Sequence, residues 1–269
     1  MSTPIAVTVA GSDSSGGAGI QADLKTFGAL GVYGASVIVA LTAQNTQGVT
    51  GIHDVPANFI TAQMDAVFSD LDVGAVKLGM LSQTASIEAV AKGLADHRAK
   101  NIVLDPVMVA TSGDRLLAAD AVEALRTLLI PRALVITPNL AEAAALVEAS
   151  PARNEKEMEI QARELLALGA RNVLIKGGHG MSDESVDLLI GHGDVVRLSA
   201  RRITTGNLHG TGCTLSSAIA AGLAKGLDLR EASREAKVYV TGAIAAADTL
   251  AVGHGHGPLH HFYKSGRDA

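Results

Sequence analysis

The chain has 269 residues, a formal charge of −5 and a single cysteine. The charge and the lack of a Lys/Arg-rich run exclude a basic nucleic-acid-binding face. The lone cysteine excludes an internal disulfide framework, and no apolar run reaches the roughly 18 residues of a membrane-spanning helix. Apolar residues make up 48% and aromatic residues only 3%, with no Trp, so the core must be built from Ala, Val, Leu and Ile.

In chain order, "IAVTVA" (Ile5–Ala10) has the length and β-branching of a buried strand, and the Gly-Ser-Asp-Ser that follows reads as a loop. Gly19–Gly31 then has helical spacing, with Ile20, Leu24, Phe27 and Leu30 on one face. "SVIVAL" is a second strand and "AVKLGM", around Val76, a third. "NIVLDPV" (Asn101–Val107) and "ALVITPN" (Ala133–Asn139) are strands ended by proline, and "NVLIKGGH" (Asn172–His179) repeats the pattern. Between them "TASIEAVAKGLADHR", "ADAVEALRTLL" and "EMEIQARELLALG" are amphipathic at the helical period. "SVDLLIGHGDVVRL" reads instead as a hairpin at the sheet edge, turning on Gly-His-Gly. Composition does not shift along the chain, which predicts one α/β domain spanning residues 1–269. Alternating strands and helices imply a mainly parallel sheet covered on both faces. The N-terminal "MSTPIAVTVAGSDSSGG" lacks the basic and long apolar regions of a signal peptide, so the expectation is a soluble cytoplasmic protein.

In such a sheet, ligands bind beyond the carboxyl ends of the strands. Asp13, Gln44, Asn45, Lys77 to Met80, Asp105, Asn139 with Glu142, and Lys176 all fall there. A P-loop (G-x-x-x-x-G-K-S/T) is missing, and "GSDSSGGAG" has glycines at the wrong spacing for a dinucleotide fingerprint. Its Gly16-Gly17 pair does permit close backbone approach to a small ligand. The turn Gly210-Thr211-Gly212-Cys213 opens the apolar helix "TLSSAIAAGLA", where converging N–H groups and the helix dipole suit a phosphoryl group or another oxyanion. The plain alternative is a glycine-rich helix start. Cys213 there is read as a thiolate, favoured by the helix N-terminus and able to act as general base. A passive packed thiol and an acyl-transfer nucleophile with His209 as its base are the alternatives. Asp105 and the Asn139/Glu142 pair offer hard oxygen ligands for Mg²⁺, and Lys176 can pair with a phosphate. Each also has a structural reading, a surface acid or a solvated lysine. Together they describe phosphoryl transfer. "GHGHGPLHHF", with four of the nine histidines, reads as an ordered loop more readily than as a metal site.

The motifs "AGSDSSGGAGIQADLKTFGALGVYG", "ALTAQNTQGV", "KLGML", "LDPVMVATSG", "TPNLAEAAAL", "IKGGH", "HGTGCTLSSAIAAGLAKG" and "GHGPLHHF" together resemble the hydroxymethylpyrimidine/phosphomethylpyrimidine kinases of thiamine biosynthesis, within the ribokinase-like superfamily. The resemblance runs from Ile5 to Phe262. It implies a three-layer α/β/α fold, often dimeric, that uses MgATP. The reaction it implies phosphorylates 4-amino-5-hydroxymethyl-2-methylpyrimidine and then its monophosphate. By the same resemblance Cys213 is the base, Gly210, Thr211 and Gly212 form the anion hole, and Lys176 contacts phosphate. Asp105 and Glu142 take the Mg²⁺ neighbourhood, and Gln44 hydrogen-bonds the aminopyrimidine with Asp23, Gly11, Met80 and Val107 nearby. Asn139 joins the ATP side, with Lys237 a further candidate there. One departure is Ser14, where relatives commonly have proline; it is expected to loosen the loop slightly. No thiamine phosphate synthase or thiaminase-like module is expected. Two alternatives stay open: a pyridoxal kinase of the same superfamily, and a catalytically silent pyrimidine-binding sensor.

Overall fold

The computed structural model describes residues 3–108, 120–178 and 183–265. Among them a nine-stranded sheet has the order β3-β2-β1-β4-β5-β6-β7-β8-β9. Its strands are β1 (Ile5–Asp13), β2 (Tyr33–Asn45), β3 (Gly48–Asp54), β4 (Ala75–Leu78), β5 (Ile102–Leu104), β6 (Val135–Ile136), β7 (Val173–Lys176), β8 (Glu184–Ile190) and β9 (Val195–Arg201). The strands from β2 through β7 in that order run parallel, whereas β3 at one edge and β8–β9 at the other are antiparallel. The parallel strands are hydrophobic on both faces because helices cover both.

Strand alternation divides the core. Val7, Val9, Leu78, Leu104 and Ile136 face a layer that includes α2 (Ala57–Phe68), α3 (Thr84–Asp96), α5 (Leu140–Leu146) and α6 (Glu155–Ala167). Ala6, Ala75, Val103, Val135 and Leu174 face α1 (Gly19–Ala29), α7 (Thr211–Ala224) and α8 (Leu229–Ala245). Small side chains on that second face let the alanine-rich α7 lie close to the sheet, and it is buried almost throughout. The result is the expected α/β/α sandwich. No described helix is long and apolar enough to cross a membrane.

Several local expectations change. β1 continues past Ala10 to Asp13, because its pairing with β2 resumes after a register shift between Ala10 and Gly11. β3 and α2 were not anticipated: β3 ("GVTGIHD") is exposed along an edge and lacks an apolar alternation. The helix expected over "ADAVEALRTLL" begins as α4 (Ala121–Ala124), then widens to a π turn at Leu125–Leu129 and tightens to a 3₁₀ turn at Ile130–Arg132. Ala119, the "VATSG" of the fifth strand's motif and the His179 of "IKGGH" lie outside the described residues.

Candidate active site

The turn before α7 is built by glycine. Gly210 has φ +83°, and a Cβ there would lie 2.0 Å from the Gly17 carbonyl oxygen. A left-handed conformation and direct backbone contact both demand glycine at this position. The N–H groups of Gly212 and Cys213, in the first turn, have no intrahelical acceptor and remain available to an anion. Gly212 also closes this turn onto a charge cluster: a Cβ on it would sit 3.2 Å from Lys176 Nζ and 3.4 Å from Asp105 Oδ2.

In that cluster Lys176, at the end of β7, donates to Asp105 Oδ1 at 2.8 Å and lies 3.8 Å from Glu142 Oε2. Thr137 donates to the same Asp105 oxygen at 3.0 Å, while Oδ2 has only a 3.4 Å contact with Ser216. Glu142 and Asn139 form a reciprocal cap at the start of α5. Two buried carboxylates thus share one ammonium. Burial opposes the charge on Asp105, but Lys176 and Lys77 hold its carboxyl below the usual range. Burial likewise opposes the charge of Lys176, and Asp105 and Glu142 more than restore it. Glu142 is left short of positive charge, and burial, with Asp105 adding to it, pushes its carboxyl up to about 7.

That shift has a signed consequence for the ligand-free protein. Folded Glu142 binds a proton more tightly than unfolded Glu142, so its stabilising effect is complete below about pH 4.5 and lost as pH rises through about 7. Urea denaturation across this window is expected to show a loss of roughly 2–3 kcal/mol in the wild type relative to Glu142→Gln. Parallel curves for the two proteins would contradict it.

Cys213 overturns one expectation. Burial pushes its thiol up to about 11; Lys77 and the Gly19 N–H favour the thiolate, while Asp23 and Asp105 oppose it. The resting group is a thiol, because desolvation and the two carboxylates exceed the pull of Lys77 and the Gly19 N–H. His209 is not its partner. His209 Nε2 lies 2.8 Å from Asp13 Oδ2 and 3.4 Å from the Gln44 amide. Asp13 also accepts from Ser15, Gly17 and Ala18, which folds the glycine loop around it. Burial works against its charge, yet His209, Ser15 and Ala18 hold the carboxyl well below the usual range.

Other candidates divide. Gly11 and Met80 come together: Gly11 N–H donates to the Met80 carbonyl at 3.1 Å, and a Cβ on Gly11 would meet Met80 Cε at 2.5 Å. Gln44 is half-buried beside His209. Ser14 tightens the loop where loosening was expected: its hydroxyl donates to the Gln44 carbonyl at 2.7 Å and accepts from the Gln44 N–H at 2.9 Å. Val107, just past β5, is half-buried, with its N–H turned back to the Asp105 carbonyl. Thr211 spends its hydroxyl on the Leu208 carbonyl at 2.7 Å.

Two residues are committed to partners within the protein. Asp23 is fully buried and saturated by Thr8, Ser217 and the equally buried Lys77, whose ammonium lies 2.8 Å and 2.9 Å from its two oxygens. Lys237 pairs with Asp187 on β8 at 2.7 Å. Asp187 in turn accepts from the Gly177 N–H at 3.1 Å, so Lys237 supports the Lys176 loop from behind. Asp105 as a metal ligand is narrowed to Oδ2, since Oδ1 is committed to Lys176 and Thr137. Among the described residues no group of three His, Cys, Asp or Glu side chains could hold a metal on its own. The histidine-rich segment is an ordered strap: His256 N–H donates to the Thr46 carbonyl, and Pro258 bridges to His209. The groups that sequence reasoning missed are Lys77 as a buried cation under Cys213, and the Asp13–His209 pair beside Gln44.

The family model described as phosphomethylpyrimidine kinase matches residues 13–260. A protein named hydroxymethylpyrimidine/phosphomethylpyrimidine kinase, from Rhizobium meliloti (strain 1021), is 60% identical over 99% of this chain and 100% of its own length. Among solved structures, a phosphomethylpyrimidine kinase from Clostridium difficile 630 is 44% identical with a TM-score of 0.80, covering 89% of this chain and 99% of that one. A pyridoxal kinase from Staphylococcus aureus, in complex with AMP-PCP and pyridoxal, is 31% identical with a TM-score of 0.89, covering 98% and 95%.

Proposed function

The chain belongs to the phosphomethylpyrimidine kinase family, and from that premise we propose how it phosphorylates 4-amino-5-hydroxymethyl-2-methylpyrimidine, and then the monophosphate, for thiamine biosynthesis. The observation that carries this reading is the contact of the Gly210–Cys213 turn with the Lys176–Asp105 pair, which aims free N–H donors and an ammonium at one point. Phosphoryl transfer depends mainly on such positioning and charge stabilisation.

The N–H groups of Gly212 and Cys213, with Lys176, hold the transferring group of ATP, and the turn from Gly210 through Thr211 shapes the hole. Asn139 and Glu142 border the nucleotide's phosphates. Lys237 acts only through Asp187. Gln44 reads the aminopyrimidine edge, while Gly11, Met80 and Val107 line the ring's pocket and Asp23 underpins it through Lys77. Cys213 lies where the acceptor hydroxyl must lose its proton and takes it in its scarce anionic form.

The residues also fit a divalent cation. Asp105 and Glu142 carry two carboxylates against one ammonium, and their oxygens are the hard donors Mg²⁺ prefers. Glu142 and Asp105 Oδ2 would hold it from one side, with phosphate oxygens and water completing the shell. Bound there, Mg²⁺ would neutralise charge on the β- and γ-phosphoryl oxygens. We read residues 1–269 as one kinase domain working in the cytoplasm. A homodimer is supported by the exposed Leu41 and Ile52 on the β2–β3 edge hairpin.

The pyridoxal and sensor alternatives are not favoured, since identity is higher to relatives named for the pyrimidine reaction than to the pyridoxal kinases. ADP release with each acceptor tests this: kcat/KM with hydroxymethylpyrimidine is expected to exceed that with pyridoxal by about a hundredfold or more. Faster turnover of pyridoxal would overturn the substrate, and release with neither would overturn the kinase reading.

A further inference from the structure

Gln44 is held at its backbone by Ser14, but its carboxamide must also be oriented, because its two ends have opposite hydrogen-bonding character. Two groups flank it: Thr42 Oγ1 lies 3.0 Å from the end placed as Oε1, and His209 Nε2 lies 3.4 Å from the end placed as Nε2, although the oxygen and nitrogen of an amide are told apart only by their partners. The hydrogens available to these neighbours decide the orientation. His209 Nε2 lies 2.8 Å from Asp13 Oδ2, and that carboxylate also accepts from the Gly17 and Ala18 N–H groups. An ionised carboxylate at that distance requires a proton on Nε2, since a bare nitrogen lone pair would repel it. Nε2 then carries a single hydrogen, directed at Asp13, which a second acceptor can share and a second donor cannot, so the amide oxygen of Gln44 belongs on the His209 side. The NH₂ group then faces Thr42 Oγ1, which accepts one hydrogen and donates its own to the Ser12 carbonyl at 2.8 Å. The His209 Nε2 hydrogen, held by Asp13 at 2.8 Å, is shared more weakly with the amide oxygen at 3.4 Å. The orientation as placed, with the amide Nε2 toward His209, sets two donors face to face there and turns the amide oxygen toward a Thr42 hydroxyl whose hydrogen goes to Ser12.

We propose that Asp13, His209 and Thr42 lock the Gln44 carboxamide with its oxygen toward His209, so that His209 and Thr42 are positioning residues for recognition of the aminopyrimidine. The inference rests on the reading of Gln44 as the residue that meets the pyrimidine. A 4-aminopyrimidine presents an N–H donor beside a ring-nitrogen acceptor, and a carboxamide matches that edge with its C=O and N–H side by side. The match holds for one orientation of the amide only. Pinning the carbonyl to His209 and one N–H to Thr42 leaves a carbonyl lone pair and the second N–H in fixed order for the ligand. An unpinned amide would divide its time between orientations and lose much of that discrimination.

The test compares two acceptors in the first phosphorylation: 4-amino-5-hydroxymethyl-2-methylpyrimidine and the same compound lacking the 4-amino group. The wild type is expected to favour the amino compound in kcat/KM by about tenfold or more, the worth of a well-made hydrogen bond. Gln44→Met is expected to bring that ratio near one. His209→Leu is expected to lower it several-fold, mainly through KM of the amino compound, whereas His209→Gln, which keeps an N–H donor, retains most of it. Thr42→Val probes the same lock from the other side and serves if His209→Leu does not fold. A ratio at the wild-type value in both His209→Leu and Thr42→Val would overturn the lock while leaving Gln44 as the reader. So would equal losses on both acceptors, the mark of a purely structural effect. An unchanged ratio in Gln44→Met would instead remove the reading of Gln44 itself, and this inference with it.

Discussion

Replacing Cys213 by serine is expected to slow the first phosphorylation by about a hundredfold or more, while the second slows by no more than about threefold. The two steps differ in what the acceptor must lose. In the first, a hydroxymethyl group has to shed a proton as it attacks. In the second, the acceptor is a phosphate monoester with a second pKa of about 6, largely ionised at neutral pH, so no base is needed. The thiol's position sharpens the expectation. Because burial pushes it up to about 11, the thiolate is scarce near pH 7 and its population grows with pH. The first step in the wild type is therefore expected to climb by about tenfold per pH unit between about 7 and 9. The second step should stay nearly level, and Cys213→Ser should flatten the first. Single-turnover measurements of each step across that range check all three. Equal losses in the two steps would remove Cys213 as base and leave it a packing group of the anion turn.

What the sequence made legible was local. The alternation of apolar runs and amphipathic stretches gave the parallel sheet, and proline after "NIVLD" and "ALVIT" marked where strands stop. Gly210 announced a backbone that no other residue adopts easily, and the structure gives it φ +83°. Strand ends collected Asp105, Glu142 and Lys176 because such a sheet points them to the same edge. What stayed hidden depends on pairs far apart in the chain. Asp23 looked like a ligand residue because nothing local says that Lys77, 54 positions away, saturates it. His209 and Asp13 are 196 positions apart, and either alone reads as an ordinary polar residue near a turn. Lys237, on a helix after the anion turn, could not be seen to face Asp187 on a strand. The thiol failed for the same reason. A helix N-terminus is visible in sequence, while the burial and the carboxylates that raise the thiol are assembled only by the fold. Ser14 shows the converse, since a substitution expected to loosen the loop supplies a hydroxyl that ties it to Gln44.

The Asp23–Lys77 pair carries the second large expectation. Asp23→Ala is expected to destabilise the protein by about 3–5 kcal/mol, because it strands a fully buried ammonium. For a chain of this size that corresponds to a fall in Tm of roughly 10 °C. Lys77→Met should cost a similar amount, although Thr8 and Ser217 still donate to the orphaned carboxylate. Charge, not shape, sets these losses, so Asp23→Leu with Lys77→Met should lose much less than the sum of the single changes. Recovery is incomplete, since the two hydroxyls are left without their acceptor, at about 1–3 kcal/mol each at most. Urea denaturation of the three variants measures the coupling directly. Additive losses would show that the two charges do not depend on one another. A stable Asp23→Ala with a raised KM for the pyrimidine would return Asp23 to the substrate pocket. The pair matters beyond stability because of what it joins. Thr8 stands on β1, Asp23 on α1, Lys77 on β4 and Ser217 on α7, one turn beyond Cys213. The network therefore fixes the height of the anion turn above the sheet, and any variant that retains the fold but breaks the pair should lose kcat through displacement of Gly212 and Cys213.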